Sequence, residues 1–292
     1  MRSNARILSP INDDPMANEL SFSDAEFAEI RAVIKDLTGI NMSETKRQLV
    51  YRRIMTRLRA TGIEHTRDYI SYLKNGDVAE LEAFANAVTT NLTSFFRENH
   101  HFEYLAENIL PEIATRKASG RRRLRIWSAG CSTGEEPYSI AMTLKESLPG
   151  IAQWDAKILC TDVDTEVIKT CKAGVYARGR IDKISQRQQK RWFRKGRSTE
   201  GEMVKVDPEL QALTVFKPLN LMHDWPMTGR FDVIFCRNVI IYFDKPTQRI
   251  LIDRFAEHLE DNGFLILGHS ETLFNVSDRF SLIGNTIYQK AR

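Results

Sequence analysis

The 292 residues are 42% hydrophobic and 27% charged, the balance of a globular chain long enough for two domains or one domain with an extension. No run of about 18 apolar residues occurs, which excludes a membrane-spanning helix; Cys131, Cys160, Cys171 and Cys236 form no CxxC pairs, which argues against zinc and disulfides and fits a reducing cytoplasm. The net charge of +4 is uneven: residues 45–60 hold six basic side chains and 116–125 six more, and without these twelve it would be −8, so the basicity is local and suits an acidic partner.

Residues 1–19 lack an apolar signal core and read as a flexible tail. Residues 20–90 read as helices. Ser23 with Glu26 makes a capping box for a helix ending near Gly39, Ser43 caps a second that stops before Gly62, and Asn75-Gly76 parts two more at about 66–74 and 77–88. A linking segment at 91–120 carries a longer helix at about 98–115. From 121 to 292 the pattern alternates. RIWSAG, AKILCTD, FDVIFC and GFLILG read as strands, and EEPYSIAMTLKESL, TEVIKTCK and PTQRILIDRFAEHL as helices. RFSLIGNTIYQK reads as a closing hairpin across Gly284-Asn285. This predicts an α/β fold with a mostly parallel sheet behind an all-helical N-terminal domain. MVKVD and LTVFKP break the rhythm and read as a small antiparallel β-subdomain inserted at about 193–217.

The first strand runs into Ser128-Ala129-Gly130-Cys131-Ser132-Thr133-Gly134-Glu135-Glu136, a small-residue turn that lets a ligand approach the backbone. It is not GxGxxG, and no phosphate-binding lysine follows. Two acids at the helix start would repel a phosphate and tolerate a cationic ligand with an amino group and a sulfonium, which favours S-adenosylmethionine over nucleotides. Asp162, at the tip of the second strand, is placed for both ribose hydroxyls, whereas Asp164 better fits a helix cap. Asn220 follows the presumed third strand, where adenine edges are read, and Arg237-Asn238 follows the fourth.

Together AGCSTGEEPYSIAM, FDVIFCRNVIIYFDKPTQ, LILGHSETL and TTNLTSFFRENHHF resemble the CheR family of chemoreceptor methyltransferases, with a likeness running from about Leu20 to the C-terminus. The resemblance implies a class I S-adenosylmethionine-dependent methyltransferase fold (Rossmann-like) with the helical domain and β-subdomain. It implies methyl transfer to glutamate side chains of methyl-accepting chemotaxis proteins, with S-adenosylhomocysteine as product and no metal. Carried onto matching positions, the cofactor contacts are Asn91, Thr93, Arg97, Glu136, Asp162, Asn220, Leu221, Arg237 and Asn238, and Arg97 and Tyr242 lie near the transferred methyl. Gly130-Cys131 stands where some members have two alanines.

A receptor glutamate, with a pKa near 4.3, is already ionised at pH 7 and needs no general base. His100, His101 and His269 have no obvious acid partner and read as structural. On the basic helix Val50, Tyr51, Ile54, Met55 and Leu58 share an apolar arc with Lys46, Arg53 and Arg57 along one rim and Arg52 and Arg59 along the other, a dock for acidic receptor methylation helices. The 116–125 cluster reads as a solvated linker. Phe193–Val206 keeps a glycine-bearing loop (Gly196, Gly201) and Glu200, as in relatives that capture a receptor C-terminal pentapeptide. The expected partners include neither nucleic acid nor inserted membrane, and the expected state is a cytoplasmic monomer recruited to receptor arrays. Two other readings compete. An RNA methyltransferase would carry Asn/Asp-Pro-Pro-aromatic where this chain has Arg237-Asn238-Val239-Ile240, and a non-catalytic cofactor-binding domain would not need Glu136, Asp162, Arg97 and Tyr242 intact.

Overall fold

A computed structural model describes residues 23–198 and 201–291. The expected tail at 1–19 and Glu200 lie outside them. Helix α1 (Asp24–Thr38) opens on the expected capping box: the Glu26 N–H donates to the Ser23 hydroxyl, and the Ser23 N–H to the Glu26 carboxylate. It stops at Gly39, whose φ of 76° suits glycine and whose missing Cβ would sit 2.4 Å from Met222 Cγ. Ser43 makes no cap bond; it precedes a 3₁₀ turn, and α2 begins at Arg47 (Arg47–Thr61). Helices α3 (Thr66–Lys74) and α4 (Val78–Val88) complete a core around Ile30, Ile34, Val50, Ile54 and Phe84. The linking helix is α5 (His100–Tyr104), a π turn over Leu105–Ile109, then α6 (Leu110–Arg116).

The main sheet contains β1 (Arg123–Ala129), β2 (Asp155–Asp162), β6 (Thr214–Pro218), β7 (Phe231–Cys236), β8 (Leu259–Leu267), β9 (Phe280–Gly284) and β10 (Ile287–Lys290), in the order β6-β2-β1-β7-β8-β10-β9. The first five run parallel, and the closing hairpin β9–β10 pairs antiparallel beside β8. Every residue of β7 is buried because alternate side chains enter opposite cores. Val233 and Phe235 meet one, with α7 (Glu135–Ser147); Ile234 meets the other, with Leu251 and Phe255 of α11 (Lys245–His258). The strand order reverses between β1 and β7, which opens a crevice at their C-terminal ends.

The insertion differs from the expected 193–217. LTVFKP is β6 of the main sheet, paired with β2 through Ile158↔Thr214 to Asp162↔Pro218. The separate antiparallel sheet is β3 (Val175–Ala177), β5 (Gly201–Val206) and β4 (Phe193–Ser198), in the order β3-β5-β4, with α8 (Thr165–Ala173) before it, α9 (Gln186–Trp192) within it and the short α10 (Pro208–Gln211) after it. The 116–125 cluster is not a free linker either. Arg116 and Lys117 reach the buried Asp232 at 3.4 and 2.5 Å, and Arg125 pairs with Asp155 at 2.6 Å. A buried carboxylate needs such partners, so these cations are spent on the fold.

Candidate active site

The crevice is a cleft with about 900 Å³ of empty volume, some of it open solvent. Asn91, Thr93, Arg97, Glu136, Asp162, Asn220, Leu221, Arg237, Asn238 and Tyr242 all line it, so every residue expected at the cofactor or the methyl meets in one place. Thr38 and Ile40, at the end of α1, and Thr89, just after α4, bring the helical domain into the same wall. The turn after β1 makes the close approach possible: Gly130 has φ 84°, and a Cβ there would lie 2.4 Å from Val239 Cγ2.

Asp162 Oδ2 accepts the Ser132 N–H at 2.8 Å and Oδ1 the Asp164 N–H at 3.0 Å. Burial pushes its pKa up to about 6 against the pull of those bonds. Each oxygen keeps lone-pair capacity toward the cleft. Asp164 is the α8 cap as expected, accepting from Glu166 and Val167 N–H. Its other oxygen takes the Thr89 hydroxyl at 2.9 Å and the Asn91 amide at 2.7 Å, which straps the linker to the sheet.

The two acids at the start of α7 are both neutralised, which removes the expected repulsion of phosphate. Glu135 pairs with Arg180; Glu136 accepts from Ser128 Oγ at 2.7 Å and Arg237 Nη1 at 2.9 Å. Arg237 also donates to the Arg97 carbonyl and to Glu98 at 3.2 Å. Asn220 spends its amide on the Leu37 carbonyl at 2.8 Å and its oxygen on the Met222 N–H at 2.9 Å, so it fastens the helical domain as well as lining the cleft. Leu221 is buried in the wall, and Thr93 lends its carbonyl to Arg180 at 3.2 Å. Arg97 donates to the Leu92 carbonyl at 2.7 Å and is about a third exposed on the cleft side, where it can meet a carboxylate.

Two carboxylates at the site were not anticipated. Glu98 accepts from His269 Nδ1 at 2.6 Å, His269 N–H at 3.0 Å and Asn238 Nδ2 at 3.4 Å, besides Arg237. Burial pushes its carboxyl up, but His269 and Arg237 together hold it down at about 2. His269 therefore has an acid partner, contrary to expectation, and His101 Nδ1 lies 3.6 Å from the same carboxylate. Burial pushes His101 down to about 3, leaving it neutral. Glu271, whose pKa burial raises, accepts four backbone N–H groups, those of Gly268, Asn238, Val239 and Ile241. The HSE triplet and the FFRE run carry both acids, yet apart from Gly268 the groups that donate to them lie far off in sequence.

On α2 the expected docking rim is narrower than the sequence suggests. Arg57 grips Glu80 through two bonds of 2.9 and 2.6 Å, Tyr69 adds a third, and Arg53 donates to the Thr89 carbonyl at 2.5 Å. Of Lys46, Arg53 and Arg57, only Lys46 is exposed.

No helix among the described residues is long and apolar enough to cross a membrane, and no metal-binding cluster occurs among them. Residues 25–89 match the CheR methyltransferase all-alpha domain, and residues 91–289 the CheR methyltransferase SAM binding domain. The chain is 43% identical to a chemotaxis protein methyltransferase of Salmonella typhimurium over 275 residues, 94% of this chain and 92% of the relative. It is 42% identical to one from Escherichia coli (94% and 93%) and 41% identical to a chemotaxis protein methyltransferase 2 of Pseudomonas aeruginosa (94% and 95%).

Proposed function

Because this chain belongs to the CheR methyltransferase family and is an S-adenosylmethionine-dependent methyltransferase of chemotaxis, we propose that its cleft methylates receptor glutamates with the residues described above. The observation that carries this is the convergence of ten expected residues on one cleft at the sheet's switch point. The donor set fits the cofactor. Asp162 offers acceptors for two ribose hydroxyls, Asn220 and Leu221 wall the adenine side, and Asn91, Thr93 and Glu136 flank the amino-acid end. When bound, the cofactor supplies an electrophilic methyl on a sulfonium.

In this reading Arg97 holds a carboxylate and the Tyr242 hydroxyl stands near the transferred methyl; both residues line the cleft. The acceptor carboxylate arrives ionised, so the protein has to align it and exclude water, and no side chain has to remove a proton. The RNA reading is not favoured: the turn after β7 is Arg237-Asn238-Val239-Ile240, held by Glu271 and without prolines.

The β-subdomain supports a tether. Strand β4 is an edge strand, and Arg187, Lys190, Arg191, Arg194 and Lys195 around it are exposed. An extended acidic segment at a receptor's C-terminus adds to that edge, a monomer acts in the cytoplasm, and receptor arrays gain it by local concentration.

The test is a filter assay with tritiated cofactor, receptor-containing membranes and RNA as competing acceptors. Base-labile label on the receptor is the expected result. Label on RNA, or none on either, would sink the proposal.

A further inference from the structure

The segment between β7 and α11 carries Arg237, Asn238 and Tyr242 into the cleft, and its only regular structure is a single 3₁₀ turn, Ile240–Tyr242, closed by the Tyr242 N–H on the Val239 carbonyl and the Phe243 N–H on the Ile240 carbonyl. Asn238 sits at φ 58°, a left-handed conformation that asparagine adopts more readily than other non-glycine residues but that still has to be held in register here. The enforcement comes chiefly from Glu271. One oxygen accepts the N–H groups of Asn238 (2.8 Å) and Gly268 (2.6 Å), the other those of Val239 (2.9 Å) and Ile241 (3.2 Å). The side chain is 3% exposed, so water does not compete for these bonds. Gly268 keeps the approach open, since a Cβ there would lie 2.5 Å from Asn238 Nδ2 and 2.9 Å from the Glu271 carboxylate. Carbonyls of the same segment are fixed from elsewhere: those of Ile240 and Phe243 accept from Gln248, and that of Tyr242 from the Asn41 N–H.

From this arrangement we infer that Glu271 is a positioning residue for methyl transfer, acting through the 238–242 segment to hold Tyr242 and Asn238 at the cleft. This rests on the assignment of Tyr242 to the reacting centre. The chemistry of the site requires a carboxylate. Both oxygens face two N–H donors each, so an amide at this position turns its own N–H₂ toward two donors and loses half of the bonds. The segment then relaxes, and a displacement of about an ångström at a group beside the reacting atoms costs up to about 100-fold in rate. Asp162 and its bonds to Ser132 and Asp164 lie on a different loop, so ribose binding is preserved.

The experiment compares the full-length protein with Glu271→Gln, Tyr242→Phe and the double variant, using tritiated cofactor and receptor-containing membranes. S-adenosylhomocysteine affinity is measured by calorimetry. The expected result is a kcat reduced between about 10-fold and 100-fold in Glu271→Gln, with product affinity falling by a smaller factor than kcat, because Asn238 is the one cofactor contact that Glu271 holds directly. The two losses should not multiply: once the segment has moved, removing the Tyr242 hydroxyl costs little more. Losses that multiply, or an unchanged kcat in Glu271→Gln, overturn the role of Glu271. If Tyr242→Phe alone leaves kcat intact, the assignment of Tyr242 has failed and the inference falls with it, an outcome distinct from multiplying losses. Glu271→Asp keeps an acceptor-only carboxylate drawn back by one methylene. It provides the second reading if the amide variant does not fold, with a kcat several-fold below wild type expected and a wild-type kcat overturning the inference.

Discussion

Helix α2 and the α9–β4 corner of the β-subdomain have much the same composition, lysines and arginines interleaved with apolar residues, but the fold uses their charges differently. On α2, Arg47 bridges to Asp24, Arg57 to the buried Glu80, and Arg53 to a backbone carbonyl; Lys46, Arg52 and Arg59 are exposed and make no ion pair among the described residues. At the corner, Arg194 alone among the described side chains has an acid partner, Asp207 at 3.1 Å, and Arg191 lies over the Trp192 ring at 4.5 Å. Lys183, Arg187, Lys190 and Lys195 make no ion pair among the described residues. Counting basic residues in the sequence ranks α2 first as a docking surface. Counting those without intramolecular partners raises the β-subdomain beside it.

Arg57→Ala should break this comparison most visibly. It leaves Glu80 buried and unpaired beside Tyr69, at a cost of about 3–5 kcal/mol, whereas Arg59→Ala should stay within about 0.5 kcal/mol. Urea unfolding of both variants checks this, and equal small effects would refute the division into structural and free cations. Acid provides a second check. Burial raises the Glu80 carboxyl, but Arg57 and Tyr69 outweigh it, so its folded pKa lies below the ordinary 4.5. The stability this contributes is present above that value and is lost as pH falls through the lower folded one.

A smaller effect is expected at the corner. Reversing Arg187 and Lys190 to glutamate should raise KM for a receptor bearing its C-terminal tail by about tenfold or more, leaving kcat and tail-less receptors unaffected, because only the tethered concentration changes. Steady-state methylation of the two receptor forms measures it, and equal KM changes for both would remove the tether. The smallest effect belongs to the free cations of α2. Lys46→Glu with Arg59→Glu should slow receptor methylation a few-fold at low salt and converge on wild type as the Debye length shrinks below about 8 Å. A deficit that does not change with salt would mean those two charges do more than steer.

Where burial was uniform, the elements could be read from residues alone. FDVIFC is apolar from Val233 to Cys236 because β7 is covered on both faces, and the acids at 162 and 164 mark the end of β2 because one faces a cleft and the other caps a helix. The misreading of LTVFKP has a physical cause. β6 is the edge of the sheet with a single buried residue, Phe216, so its pattern is that of a half-exposed hairpin strand, and its parallel partner lies more than fifty residues upstream. β3, with three residues, is too short to show a period. Glu98 and Glu271 escaped notice for a related reason: most of the groups they bind lie thirty or more positions away, up to 171 for Glu98 and His269, and nothing local marks a carboxylate that does so.

The helical domain touches the cleft at a seam of few residues. Lys35 meets Asp244 at 2.8 Å, the Leu37 carbonyl takes the Asn220 amide, Gly39 lies against Met222 and Phe243, and the Asn41 N–H holds the Tyr242 carbonyl. That seam makes residues 35–41 belong functionally to the catalytic half, whatever chain boundary a family profile draws. A chimera that takes its helical domain from a relative therefore inherits a foreign wall for the cleft. To keep its own active site, the graft must begin after Asn41 and keep Thr89, or carry matching residues at 164, 220, 222, 242 and 244.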